Sequence, residues 1–328
     1  MEGLRSPSEL IVILVILLAY GCPVQAIVPA YGLDERTVAD WQKRAGKHCQ
    51  QVQQAIIEQA KVNPTQVQAD EIRAKGRKLV IWMGMAIDAT SRLWLAGVLS
   101  VNRDRHLADR LLQQVRQCCQ RMQGLLICSD GWKVYPQSMV RAFRDKVKRT
   151  AGRGRCCLEV WPDLCIATII KHTKKKRVVD VTRKLSWGVL EQAQHLLSLT
   201  PACQQFNTSL IERFNATMRE RLASLTRQCR HAAQRLETLE TGMYLVGSTY
   251  NFSGPHQALS NRKHLGSACT PAMAAGLTDH IWSVSELLQF QVAPAPWVEP
   301  KRRGGPRKAR APDPTVPKRP PGRPPKIA

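Results

Sequence analysis

The chain is short of acid: 25 Asp and Glu stand against 49 Lys and Arg in 328 residues, a net charge of +24. That imbalance argues for a polyanionic partner, nucleic acid before membrane, and carries no information on sequence specificity. There is no Cys-x-x-Cys, the eleven cysteines are odd in number, and several sit in apolar runs such as LLICSD. A disulfide framework and a structural zinc site are thereby disfavoured, and reduced, buried thiols of a cytoplasmic protein are expected. Long apolar runs are also missing. Ile11–Tyr20 (IVILVILLAY) is too short to cross a bilayer, so no membrane partner is expected. It precedes VQA as an export leader would, but Glu2, Arg5 and Glu9 leave its flank negative where export signals need positive charge. A buried first helix is the expectation.

The residues after that run have the pattern of a helix-turn-helix. Pro23–Pro29 reads as a short helix, Ala30–Leu33 as a turn containing Gly32, and Asp34 as the N-cap of a helix over 35–48. Val38 and Trp41 face inward, which leaves Arg36, Thr37, Asp40, Gln42, Lys43 and Arg44 to meet a major groove or its phosphates. A plain three-helix bundle with a charged outer face would show the same pattern. Gln50–Ala60 continues as a helical connector, and Asn63-Pro64 ends it. Residues 1–60 are thus expected to form an all-α DNA-binding domain.

From Thr65 the pattern changes to strands: 67–71, 78–88 and 93–101, the last two as a hairpin. An amphipathic helix over 104–122 comes next, then a short buried strand, Leu125–Cys128, that stops at Ser129-Asp130-Gly131. Residues 132–147 read as helix. Beyond them come strands at 157–161, 164–171 and 177–183 and a helix at 187–198, with the basic tip TKKKR between the last two strands. From Ala293 the chain is rich in Pro, Lys and Arg, so 293–328 is expected to be a disordered basic tail. Its end, KRPPGRPPKIA, is similar to a minor-groove AT-hook centred on Arg323, with Pro321 where such hooks usually carry Arg.

The stretch that organises the rest is Asn207–Leu222 (NTSLIERFNATMRERL). Ile211, Phe214, Met218, Leu222 and Leu225 share one helical face, and Glu212, Asn215 and Arg219 form a stripe along its edge. Ser209-x-x-Glu212 also fits a capping box, so Glu212 has a purely structural alternative. Arg227, Arg230, His231 and Arg235 extend a basic helical surface beyond it, and 250–256 and 270–273 read as loops. Together with Asp70 and Asp130 at strand ends, Glu212 completes a set of three carboxylates. Such a set suits two Mg²⁺ ions, with Mn²⁺ as substitute, in a site for phosphoryl transfer. Without a cation the three acids would repel one another.

Several segments resemble, in order, the DDE transposases of bacterial insertion sequences, members of the retroviral-integrase superfamily with a ribonuclease H-like core. VQADEI at 67–72 resembles the first strand with its Asp. MAIDATSRLWLAGVLS at 85–100 resembles the next two strands, and ICSDGWKVYP at 127–136 the fourth with the second Asp. NTSLIERFNATMRER at 207–221 resembles the helix bearing the Glu, and YNFSGPH and TPAMAAGL the segment after it. The resemblance implies an α/β, ribonuclease H-like mixed sheet flanked by helices over 65–285, behind the helix-turn-helix domain. It implies Asp70, Asp130 and Glu212 as catalytic metal ligands, with Asp88 in a turn. The implied reaction is cleavage at element ends and transfer of the 3′-OH into target DNA, by a homo-oligomer, in the bacterial cytoplasm at the nucleoid. Arg213, Arg219 and Arg221 are candidates for end-DNA phosphates. The long gap between Asp130 and Glu212 makes 148–201 an expected insertion. Two alternatives remain: a DNA-binding protein without catalysis, and a nuclease that cleaves without joining.

Overall fold

A computed structural model describes residues 6–75, 80–120, 124–148, 156–175, 177–200, 203–225, 235–263 and 268–293. Arg323 and the rest of the tail from 294, and Arg227, Arg230 and His231, lie outside the described residues.

Three helices open the chain: α1 (Ser8–Ala19), α2 (Val24–Tyr31) and α3 (Glu35–Gln53), the last running into a π-helical turn at Gln54–Glu58. Asp34 caps α3 as expected, accepting the Arg36 amide at 2.8 Å, and Gly32 makes the preceding turn at φ 61°. Ile11, Leu14, Val15 and Leu18 of α1 are buried in the same apolar core as the sheet described below. No helix among the described residues is long and apolar enough to cross a membrane.

Then come β1 (Gln66–Lys75), β2 (Val80–Asp88), β3 (Trp94–Ser100), α4 (Arg105–Cys118), β4 (Leu125–Asp130) and α5 (Val134–Ala142). After them lie the hairpin of β5 (Arg144–Val147) and β6 (Cys157–Val160), then β7 (Leu164–Lys174), β8 (Arg177–Trp187), α6 (Leu190–Ser198) and α7 (Ser209–Arg221). The described residues close with α8 (Leu236–Ser248), α9 (Gln257–Lys263), α10 (Pro271–Ala274) and α11 (Val284–Gln289).

The protein is a mixed α/β structure around a six-stranded sheet of order β3-β2-β1-β4-β7-β8. β1, β4 and β7 run parallel in the centre, and β2, β3 and β8 pair antiparallel at the flanks. Alternate residues of β4 serve two cores. Leu125 and Ile127 join the cluster of α4 and α5, whereas Leu126 and Cys128 join that of α6. A strand covered on both faces reads as an unbroken apolar run, which is why LLIC is legible. Every described cysteine is a free thiol, and most are buried.

Four expectations need correction. β1 does not stop at Glu71; it pairs with β2 as far as Lys75 opposite Val80, so Asp70 lies mid-strand. The 132–147 helix ends at Ala142. Phe143 turns into the core against the Trp161 ring, and Asp145 accepts hydrogen bonds from Arg116 (2.8 Å) and Trp161 (3.0 Å), so tertiary partners hold 144–147 extended. Segment 148–201, expected as an insertion, supplies β7 and β8, with β7 paired along the whole of β4. The loops at 250–256 and 270–273 are partly helical: the α8 helix continues as a π turn to Ser253, and Thr270 caps α10. Asn251 is placed by that turn to pair with both the N–H and the C=O of Trp94, each at 2.9 Å.

Residues 6–292 form one compact unit that includes the three opening helices. α3 lies against α8, and Gly46 permits the approach: a Cβ there would sit 2.3 Å from the Thr241 carbonyl oxygen.

Candidate metal centre and nucleic-acid surface

The parallel register sets Ala69 of β1 opposite Ser129 of β4, so one step further brings Asp70 beside Asp130. β4 ends there while β1 continues. The gap beyond a shorter neighbour, at the carboxyl end of parallel strands, is where an open α/β sheet leaves room for a ligand. The side chains alternate along β1. Gln66, Gln68 and Asp70 face the side of α6 and α7, where Gln68 bonds to Asn207 and Asn215 to Asp70; Glu71 faces α5, where Tyr135 bonds to it.

Carboxylate oxygens of Asp70, Glu71 and Asp130 lie within 4.8 Å of one another, close enough to share a divalent cation. Each is held from outside. The Asn215 amide donates to Asp70 at 2.9 Å. Tyr135 donates to Glu71 at 2.9 Å, and Arg103 ion-pairs with Glu71 and reaches Asp130 at 3.5 Å. Arg103 itself is stacked over Trp132 at 4.6 Å and Trp82 at 5.2 Å. The Trp132 amide donates to Asp130 at 3.1 Å.

Burial pushes the Asp70 carboxyl up to about 6, and the charges of Asp130 and Glu212 add to the shift. Burial likewise pushes Glu71 up to about 7, with Asp130 adding and Arg103 opposing. A cluster of this kind binds protons in place of a cation and releases them when a cation arrives.

Glu212 sits across the cleft, in the first turn of α7, outside the tight cluster. Glu212, Asp130, Lys171 and Thr208 line one opening of about 610 Å³. Lys171 of β7 ion-pairs with Glu212, and Thr208 donates to it at 2.5 Å. The capping box is not formed. The first free amides of α7, those of Leu210 and Ile211, are taken by the buried Gln68 side chain at 3.0 and 3.1 Å. Asn207 accepts the Ser209 amide at 3.2 Å. With the helix end satisfied from β1, the Glu212 carboxylate has no capping duty and faces the cleft.

Thus Asp70, Asp130 and Glu212 come together from segments far apart in the chain. Asp88 stays out: it is buried in the β2–β3 turn and accepts from Thr90 N, Ser91 N and Ser91 Oγ. Sequence alone does not single out Glu71, Arg103, Tyr135, Gln68 or Lys171. The Asp-Glu doublet is the one local signal, and strand alternation alone would send Glu71 to the far face.

The candidate nucleic-acid residues are dispersed. On α3, Arg36 and Arg44 are exposed and Gln42 and Lys43 half-buried. Lys43 ion-pairs with Glu237 of α8 at 3.0 Å and Arg44 with Asp40 at 2.7 Å. On α7, Arg213 is exposed, Arg219 is half-buried, and Arg221 stacks over Tyr20 of α1 at 4.4 Å. No protein-family model matches the chain, and no curated protein matches it.

Proposed function

We propose that the protein is a DDE-type DNA transposase with a ribonuclease H-like core, cleaving element ends and joining the freed 3′-OH to target DNA. One observation carries this reading: Asp130 and Glu212 line one cleft, and Asp70, beside Asp130 on the neighbouring parallel strand, lies close enough to feel the charge of both. The strand order, with the first strand between β2 and β4, supports the same core. A net charge of +24 supports DNA as the partner. The helices α2 and α3, with Arg36 and Arg44 exposed, are proposed to contribute to DNA contact, and synapsis of two ends calls for a homo-oligomer.

The donor set fits a hard divalent cation: all-oxygen carboxylates whose burial, and then whose crowding, raises their proton affinity. Bound there, Mg²⁺ or Mn²⁺ supplies activation of a water or 3′-OH and stabilises the leaving oxygen. Asp70 and Asp130 would hold it from the sheet, and Glu212 would join them from the α7 side of the cleft. Asn215 fixes the Asp70 carboxylate, and Trp132 N–H fixes that of Asp130. Lys171 and Thr208 orient Glu212. Glu71 is committed to Arg103 and Tyr135, and so buttresses the site from the α5 face.

The test uses the full chain, DNA from the flanks of its own gene and a supercoiled plasmid, with Mg²⁺ or Mn²⁺. Metal-dependent joined products that vanish in Asp130→Asn are expected. Cleavage without joining would make the protein a nuclease, and binding with neither activity would overturn the enzymatic reading.

A further inference from the structure

The face of α7 turned away from Glu212 borders a second cavity, of about 470 Å³. At about 100° per residue, Arg213, Thr217 and Arg221 fall roughly opposite the stripe of Glu212, Asn215 and Arg219. All three line this cavity, with Arg92 from the β2–β3 turn and Tyr250 and His256 from the segment after α8. Its floor is apolar, made by Ile87, Leu210 and Phe214.

The charge is one-sided. Arg92 is 7% exposed and holds a left-handed backbone, φ 64°, with the buried Asp88 as its neighbouring carboxylate. Arg213 and Arg221 form no ion pair with the described residues, and Arg221 Nη1 and His256 Nδ1 are buried without a hydrogen-bond partner. Burial, and then the charges of Arg92 and Arg213, hold the His256 imidazole below its usual pKa. Guanidinium groups gathered on a partly enclosed space repel one another, and a planar fork of donors matches phosphate oxygens. The open donors, the like charges and the room beside them ask for one kind of ligand.

We propose that this cavity is a phosphate-binding subsite that takes a backbone phosphate of a DNA strand, separate from the carboxylate cleft on the other side of α7. The identity of the strand rests on the DNA reading above. Arg213 and Arg221 grip the phosphate from α7, Arg92 from the sheet, and His256 donates from the α8–α9 segment.

Fluorescence anisotropy with a labelled single-stranded oligonucleotide tests this on the full chain, alongside thermal melting in inorganic phosphate against chloride at matched ionic strength. Arg213 is exposed, so Arg213→Gln is expected to fold. It should bind the oligonucleotide about five- to tenfold more weakly, lower the slope of log K against log salt by about one, and lose phosphate-dependent stabilisation. Arg213→Lys should recover part of the affinity. Unchanged affinity and slope in Arg213→Gln would overturn the subsite. Loss of the phosphate effect with oligonucleotide binding intact would make it a free-phosphate site and overturn the DNA assignment. The two proposals fail separately: Arg213-sensitive binding without joining by the wild type defeats only the enzyme, and Asp130-dependent joining with Arg213-insensitive binding defeats only the subsite.

Discussion

The two sides of α7 carry opposite charge. One side looks onto Asp70, Asp130 and Glu212, and the other onto Arg92, Arg213 and Arg221. Each group is a crowd of like charges that the fold only partly neutralises. On the acidic side, Arg103 and Lys171 lean in from neighbouring elements; on the basic side, Asp88 sits behind Arg92. A helix can separate two such sites because adjacent residues point about 100° apart. The difference teaches that Glu212 and Arg213, neighbours in the chain, are placed in surroundings of opposite charge. In the proposed reading a cation relieves one side and a phosphate the other.

The strongest way to break this contrast is on the acidic side. Glu212→Gln and Asp130→Asn should each cut strand joining by more than about 100-fold, beyond what supporting groups usually cost, as read from joined products on a gel. Glu71→Gln should cost about 10–100-fold in the same assay, as expected for a buttress. A reversed order, with Glu71→Gln worse than Glu212→Gln, would make Glu71 the third ligand. Gln68→Ala tests whether the helix is held from the sheet. Loss of its two bonds to the Leu210 and Ile211 amides should lower stability by about 1–2 kcal/mol in denaturant melts, and an unchanged midpoint would refute its capping role.

The smallest effect is in pH. Asp70 and Glu71 have folded pKa values raised to about 6 and about 7, so without a cation the folded state holds their protons more tightly than the unfolded chain. Their contribution to stability is full below about pH 4, near the unfolded carboxylate values, and is lost as pH rises through 6 to 7. Asp70→Asn should therefore stabilise the metal-free protein at pH 8 by about 1 kcal/mol while removing activity. Stabilisation of the wild type by Mg²⁺ should grow over the same rise in pH. Thermal melts from about pH 4 to about pH 8 would show both trends, and a Mg²⁺ shift independent of pH would contradict them.

Local chemistry is the legible part. Asp34 and Asp104 cap their helices through amides two and three residues on, bonds that need no distant partner. The LLIC strand ending at Asp130, the β2–β3 hairpin and the helix after Asn207 are readable for the same reason. The 144–147 strand reads as helix in the sequence because Trp161 and Arg116 decide its conformation from other elements. β7 reads as part of an insertion because only its pairing with β4 makes it part of the sheet. The capping box at Ser209 stays undecided in the sequence because the true cap, Gln68, comes from another element.

The sequence by itself determined the helices as far as α7 and most strands, the excess of positive charge, and three acids in a suggestive order. Tertiary structure alone decided which charges meet. It set Glu71 and Arg103 beside the acids, freed Glu212 from the helix end, and gathered Arg92, Arg213 and His256 around one cavity. Short-range hydrogen bonds and periodicity arise from neighbours in the chain. Electrostatic groupings arise from strand register and helix packing, which only the folded topology supplies.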